Sequence, residues 1–167
     1  MIVNLPAEVI EKKILYVRGQ KVMIDRDLAE LYGVETRVLN QAVKRNIKRF
    51  PEDFMFALTR EEIMDLSQTV TSSKIKHAPN VNVFTEQGVA MLSSVLRSKR
   101  AILLNVEIMR AFVQLRRFLA SQQELAAKLE NLESKYDSQF RVVFAALRQL
   151  MTPSAPSRKK IGFRSDE

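Results

Sequence analysis

Residues 98–151 contain neither proline nor glycine, the two residues that most often end helices, and no other feature constrains the fold as much. Helical throughout, that stretch would be about 80 Å long at ~1.5 Å per residue, well beyond the width of a small domain. Its two halves differ in character. Over 99–119 it is apolar on several sides, at Ile102, Leu103, Val106, Ile108, Met109, Phe112 and Val113, as a core helix would be. Beyond Leu119 it turns polar, and Ser121-Gln122-Gln123-Glu124 has the spacing of a capping box that would start a fresh helix. The expected organisation is therefore a domain over 8–119, a helical segment over 120–151, and a disordered basic tail over 152–167, rich in Pro, Ser and Lys/Arg.

The second segment carries a heptad stripe. One register places Leu115, Gln122, Leu129, Tyr136, Val143 and Leu150 at a, with Phe118, Leu125, Leu132, Gln139 and Ala146 at d. Lys128 at g would face Glu133 at e of a parallel partner, and Phe140 and Leu147 at e widen the stripe. The reading is a coiled coil that makes a homodimer or larger homo-oligomer, with Leu125, Leu129, Leu132, Tyr136, Val143 and Leu150 as its seam. A single amphipathic helix lying on its own domain is the other arrangement this pattern allows.

Ahead of the long segment, strands and short helices alternate. Ile14-Leu15-Tyr16-Val17 and Gln20-Lys21-Val22-Met23-Ile24 flank Arg18-Gly19, which predicts a hairpin whose glycine takes positive φ. Asp25 is placed to cap a helix over 26–32 that Gly33 stops in the left-handed conformation. A second helix is expected over 36–49, with Val38, Leu39, Ala42, Val43 and Ile47 on its apolar face, and Pro51 closes it. Phe54-Met55-Phe56-Ala57-Leu58 predicts a buried strand. Thr59-Arg60-Glu61-Glu62 is a capping box for a short helix, and the polar stretch 67–82 predicts a mobile loop. Val83-Phe84 predicts a short strand, after which Thr85 caps a helix over 86–96. This mixture makes the fold class α+β.

Composition narrows the chemistry. With no cysteine there is no disulfide framework and no thiolate metal site, and His77, the one histidine, stands in the polar stretch without evident co-ligands. The four glycines stand alone, so there is no Gly-rich phosphate loop, and the methionines fall at core spacing. The residues predict no catalytic site, no cofactor and no metal. Neither a signal peptide nor a spanning helix is evident, which predicts a cytoplasmic protein with no membrane partner.

The formal net charge is +8 and the pI about 9.9, which suits a polyanionic partner. The charge is concentrated: residues 36–50 hold Arg37, Lys44, Arg45, Lys48 and Arg49 and no acid. The same region fits a helix-turn-helix. Ala29 is the small residue needed where the two helices touch, Gly33 suits the turn four residues later, and Val34, Leu39 and Val43 hold the second helix down. Its outer face is then Thr36, Arg37, Asn40, Gln41, Lys44, Arg45, Lys48 and Arg49. Asn and Gln can bond adenine, Arg can bond guanine, and Lys and Arg neutralise phosphate. All of these side chains are expected to be largely exposed. An αα-corner with a solvated charged face is the competing interpretation, and the absence of acids argues against it.

Several longer motifs point the same way. Arg18-Gly19-Gln20-Lys21-Val22-Met23, Asp25-Arg26-Asp27-Leu28-Ala29-Glu30-Leu31-Tyr32-Gly33-Val34, Asn40-Gln41-Ala42-Val43-Lys44-Arg45-Asn46, Arg49-Phe50-Pro51-Glu52-Asp53-Phe54 and Val83-Phe84-Thr85-Glu86-Gln87-Gly88 resemble the open-reading-frame-six N-terminal domain family of phages and bacteria. That family is related to KilA-N domains and occurs in phage antirepressor-type proteins. The resemblance spans about residues 8–119 and implies an α+β DNA-binding domain; it assigns no individual DNA contact. The leading function is sequence-selective double-stranded DNA binding by an oligomer that regulates phage or host transcription. The alternative is an antirepressor-like factor whose helical segment captures a repressor or other regulatory protein, with weak DNA binding or none. A DNA-acting enzyme and an RNA binder rank lower, for want of a metal cluster and of stacking aromatics on the basic face.

Overall fold

Leu15–Val17 (β1) and Gln20–Ile24 (β2) pair antiparallel in the register Leu15 with Val22 and Val17 with Gln20. Both residues of the connecting turn have positive φ, 53° at Arg18 and 73° at Gly19, the conformation that matches the twist of a two-residue hairpin. An arginine tolerates it here because its side chain is fixed elsewhere. Its guanidinium donates to both Glu62 carboxylate oxygens, at 2.7 and 3.1 Å, and lies 4.5 Å from the Phe56 ring centre.

The computed structural model describes residues 5–68, 75–135 and 141–151. The element order is α1 (Ala7–Glu11), β1, β2, α2 (Asp25–Tyr32), α3 (Thr36–Arg45), a 3-10 turn (Ile47–Arg49), β3 (Met55–Ala57), α4 (Arg60–Gln68), β4 (Asn82–Thr85), α5 (Glu86–Val95), α6 (Lys99–Lys135) and α7 (Arg141–Met151). The fold is α+β, with one four-stranded antiparallel sheet in the order β1-β2-β4-β3. The α1 turn, which places Ile10 in the core, has no counterpart in the sequence reading.

The two central strands explain the layers. Side chains alternate across a sheet, so Met23 and Phe84 point to one face and Val22, Ile24 and Val83 to the other. Helices α1, α2, α3 and α5 and the first part of α6 cover the first face, contributing Leu28, Leu39, Leu92, Leu104 and Phe112 among others. The second face is covered by Ile63 of α4 and by Ile75, Ala78 and Val81. With both faces packed, successive residues are apolar where the two strands pair, at Val22-Met23-Ile24 and Val83-Phe84.

Several expectations need correction. Strand β3 is an edge strand with half-buried and exposed positions, since only its β4 side is paired. The stretch 67–82 is not all loop: Ser67 and Gln68 end α4, and Ile75, Ala78 and Val81, spaced by three, are buried in the second core. The part of that prediction over 69–74 lies outside the described residues. On α6, Leu104, Ile108, Ala111 and Phe112 face inward, but Ile102, Leu103 and Val106 do not, because a helix lying on one core can bury only one stripe.

Other local predictions hold. The Thr59 amide donates to Glu62 Oε2 at 2.7 Å while the Glu62 amide donates to Thr59 Oγ1 at 3.2 Å, a reciprocal capping box. Thr85 Oγ1 accepts from the Gly88 amide and caps α5. Gly88 lies so close to the chain before β3 that a Cβ there would stand 2.0 Å from the Phe54 carbonyl oxygen.

The chain divides into two compact units, Met1–Arg116 and Arg117–Glu167. In the second unit α6 runs unbroken through Ser121, whose hydroxyl donates back to the Phe118 carbonyl instead of capping a new helix. The heptad stripe does not stay on one helix, because α6 ends at Lys135 and α7 starts at Arg141. Tyr136, Gln139 and Phe140 lie outside the described residues, as does the tail over 152–167. Arg148 of α7 pairs with Glu133 of α6 within the chain. Leu119, Gln122, Ala126 and Glu130 line a groove shared with Arg148 and Met151, so α7 lies alongside α6. Of the predicted seam, Leu129 is buried, whereas Leu125, Leu132, Val143 and Leu150 are exposed.

Candidate nucleic-acid interface

Helix α2 opens directly from β2, with Ile24 in extended conformation at its N-cap. Asp25 is therefore inside the helix and does not cap it. Its carboxylate is 1% exposed and gathers donors instead. Oδ1 accepts from the Arg26 amide at 2.8 Å and Arg26 Nη1 at 3.1 Å, and Oδ2 accepts from Asn40 Nδ2 at 2.9 Å and the Asn82 amide at 3.4 Å. Buried charge survives only with such compensation. The result ties α2, α3 and β4 together.

The turn after α2 is built as expected. Gly33 has φ 70° and ψ 33°, its amide donates to the Glu30 carbonyl, and the Val34 amide donates to Ala29. Arg100 of α6 supplies a further cap, its Nε donating to the Leu31 carbonyl at 3.0 Å. A Cβ at Gly33 would stand 3.2 Å from that Nε. Ala29 is buried among the core residues of α2. At the end of α2 the Tyr32 hydroxyl donates to Asn105 Oδ1, and burial pushes the phenol pKa far above its ordinary value, so it remains a neutral donor.

Helix α3 stops four residues earlier than the predicted end at Arg49, and the cause is Asn46. Its side-chain amide donates to the Ala42 carbonyl at 2.9 Å, while its own backbone N–H shifts to Val43. The Arg49 and Phe50 amides continue in the tighter 3-10 pattern. That winding delivers Phe50 into the core, edge-on to Phe84 with ring centres 6.0 Å apart.

The outer surface of α3 and the 3-10 turn after it differs from the sequence expectation at four positions. Asn40 does not point to solvent: Nδ2 binds Asp25, and Oδ1 accepts from Asn82 Nδ2 at 3.3 Å. Thr36 is half-buried as well. The signal was present in the spacing, since residues 36, 39, 40 and 43 follow the i, i+3, i+4, i+7 pattern of an inward stripe. Conversely, Val38 and Ile47, assigned to the apolar face, are 40% and 52% exposed.

Arg37, Gln41, Lys44, Arg45, Lys48 and Arg49 are all exposed. At ~100° per residue, Arg37, Gln41, Lys44 and Arg45 share one arc of the helix, and the 3-10 turn adds Lys48 and Arg49 at its end. Glu35, just before α3, lies 3.6 Å from Arg37, but both side chains are solvated and the pair is weak. Arg49 Nη1 donates to Ser94 Oγ of α5 at 3.3 Å.

The family model for the ORF6N domain matches residues 12–95, from just before β1 to the end of α5. The chain belongs to the ORF6N family. This is a phage-type regulatory and antirepressor family, in keeping with the resemblance of the hairpin, α2, α3 and α5 motifs. No curated protein and no solved structure matches the chain. The ORF6N match ends before α6, yet Ala101, Leu104, Ile108 and Phe112 of α6 belong to the same core cluster as α2 and α3. No helix among the described residues is long and apolar enough to cross a membrane.

Proposed function

We propose that this ORF6N protein is a DNA-binding regulator, not an enzyme, that places α3 in the major groove of duplex DNA and acts as an oligomer in the cytoplasm. The observation that carries the proposal is the α3 surface: exposed Arg37, Lys44, Arg45, Lys48 and Arg49, with no acid in 36–50, on a helix anchored by Leu39, Val43 and the Asp25 cluster. A rigidly held basic helix presents its charges to phosphate without ordering cost at each encounter. Arg37 and Gln41, in its N-terminal half, are the base-reading candidates, and Lys44, Arg45 and Lys48 hold backbone phosphates. Asn40 leaves the base-reading set, because both ends of its amide are occupied. The exposed Phe118, Leu125 and Leu132 stripe supports association with a second copy, which would let two heads engage successive half-sites.

The test is a titration of labelled duplex DNA at several salt concentrations, first on random sequence and then on selected sites. Changing Lys44, Arg45 and Lys48 to alanine should lower the log–log salt slope by about three and weaken all sequences alike. Gln41→Ala should cost about 1–3 kcal/mol on the best site alone, with stability unchanged. Asn40→Ala should instead lower folding stability by about 1–2 kcal/mol, since it leaves Asp25 short of a donor. Undiminished DNA affinity in the triple variant would overturn the reading. A protein-capture role would then lead, favoured by the apolar side chains of α7, where Leu150 is 84% exposed.

A further inference from the structure

Of the acid-free, cationic stretches of the chain, two meet at the helix-turn-helix. The first, 36–50, carries +5. The second, 87–106, holds Arg97, Lys99 and Arg100 and carries +3. Together they equal the whole formal net charge of +8, so all remaining residues sum to zero. Residues 51–86, about a third of the head, separate them in sequence, and the fold brings the α5–α6 corner against the helix-turn-helix.

Two contacts do this. Arg49, at the end of the 3-10 turn, donates to Ser94 in the last turn of α5, at 3.3 Å. At the other end of the helix-turn-helix, Arg100 lays its side chain over Gly33 and donates to Leu31 at 3.0 Å. The α5–α6 corner therefore runs beside the unit formed by α2, its turn and α3, touching both the turn before α3 and the 3-10 segment after it. Arg97, Lys99 and Arg100 are exposed there. No acid stands in the first turn of α6, where one would be favourable, and Lys99 and Arg100 occupy it instead. Like charges gathered beside like charges repel at distances below the ~8–10 Å screening length, a cost that a polyanion spanning both patches removes.

We infer that the corner Arg97-Ser98-Lys99-Arg100 is a second phosphate-binding surface, gripping the DNA backbone flanking the groove that α3 enters. It rests on the α3 reading for its partner, and it extends the contact to a segment beyond the ORF6N match at 12–95. Lys99 and Arg97 act as point charges on phosphate and carry no sequence information. Arg100 has a double role, since its Nε is already committed to the end of α2.

The experiment compares the full-length chain, Arg97→Ala/Lys99→Ala, and the triple α3 variant in the same salt series on random-sequence duplex. Arg100 is left intact so that the turn is undisturbed, and a urea melt confirms that the double variant is as stable as the parent. The expected result is a salt slope lower by about two, equal on all sequences, with the base preferences of selected sites unchanged. An unchanged slope in the double variant, alongside a lowered one in the α3 triple, overturns this inference alone. A lowered slope in the double variant with an unaffected triple supports the corner and overturns the α3 reading. If neither variant changes the slope, both fail, and the basic corner serves an acidic protein or none.

Discussion

The two compact units spend the same kinds of apolar residue to different ends. In the first, Met23 and Phe84 on one side of the sheet and Val22, Ile24 and Val83 on the other all find partners, because helices cover one face and α4 with the segment 75–81 covers the other. In the second, Leu129 is buried, but Phe118, Leu125, Leu132, Val142 and Leu150 remain exposed. Two helices side by side can shield one stripe each, and no third layer is present among the described residues. The difference is one of layers: the sheet of the head is packed on both faces, although Ile102, Leu103 and Val106 of α6 stay exposed, whereas the helical pair leaves most of its apolar stripe uncovered.

Gly88→Ala tests the packing of the head most severely. A methyl group there would stand 2.0 Å from the Phe54 carbonyl oxygen, which itself accepts from the Thr85 amide at 3.0 Å, so neither backbone can give way cheaply. The expected loss exceeds about 4 kcal/mol in a urea melt. A variant within 1 kcal/mol or so of the parent would show that the head is more plastic than its packing implies.

Next in size is a matched pair. Phe112→Ala, at a fully buried position, should cost about 3–5 kcal/mol at any protein concentration. Leu132→Ala, at an exposed one, should be within about 0.5 kcal/mol in dilute solution. Its effect should grow with concentration if a second copy covers the stripe, and sedimentation of the full-length chain should show association at tens of micromolar, about the level of a modest coiled coil. A monomer at that concentration would remove the oligomer from the proposed function.

The smallest effect sharpens the account of the hairpin. The hydrogen bonds from Arg18, ahead of the capping contacts with Thr59, hold the Glu62 carboxyl below the usual carboxylate range. A depressed folded value means that this contribution is present above the unfolded pKa and fades as pH falls through the folded one. Glu62→Gln should therefore be slightly less stable at neutral pH and should lose less on acidification below about pH 4.3. Parallel pH profiles for parent and variant would show that the Arg18 contact contributes nothing.

Much of the head was legible because the determinants are local. Arg18-Gly19 between two apolar runs, Gly33 after a helical turn, the Thr59–Glu62 box and the Thr85 cap each act within a few residues, and each stands where the pattern predicts. Features that depend on distant partners were read less well. The loop prediction overlooked Ile75, Ala78 and Val81, which are buried because β2 and β4 offer a second apolar face. At the site, Arg37, Gln41, Lys44, Arg45, Lys48 and Arg49 were placed on the surface correctly, and Asn40 was not.

The α+β class, the family, the basic helix and the turn before it are all written in short stretches of the chain. The family is carried by the resemblance of the motifs, and the rest follows from periodicity, capping and local charge, whose effects reach one or two helical turns. Tertiary structure alone decided which residues of that helix face outward, because a carboxylate fifteen positions away at Asp25 draws Asn40 in, and it also decided that α7 lies along α6. Only the folded chain sets the α5–α6 corner, with Arg97, Lys99 and Arg100, against the helix-turn-helix through Ser94 and Leu31, since Coulomb interactions act through space and a sequence records charge only along the chain.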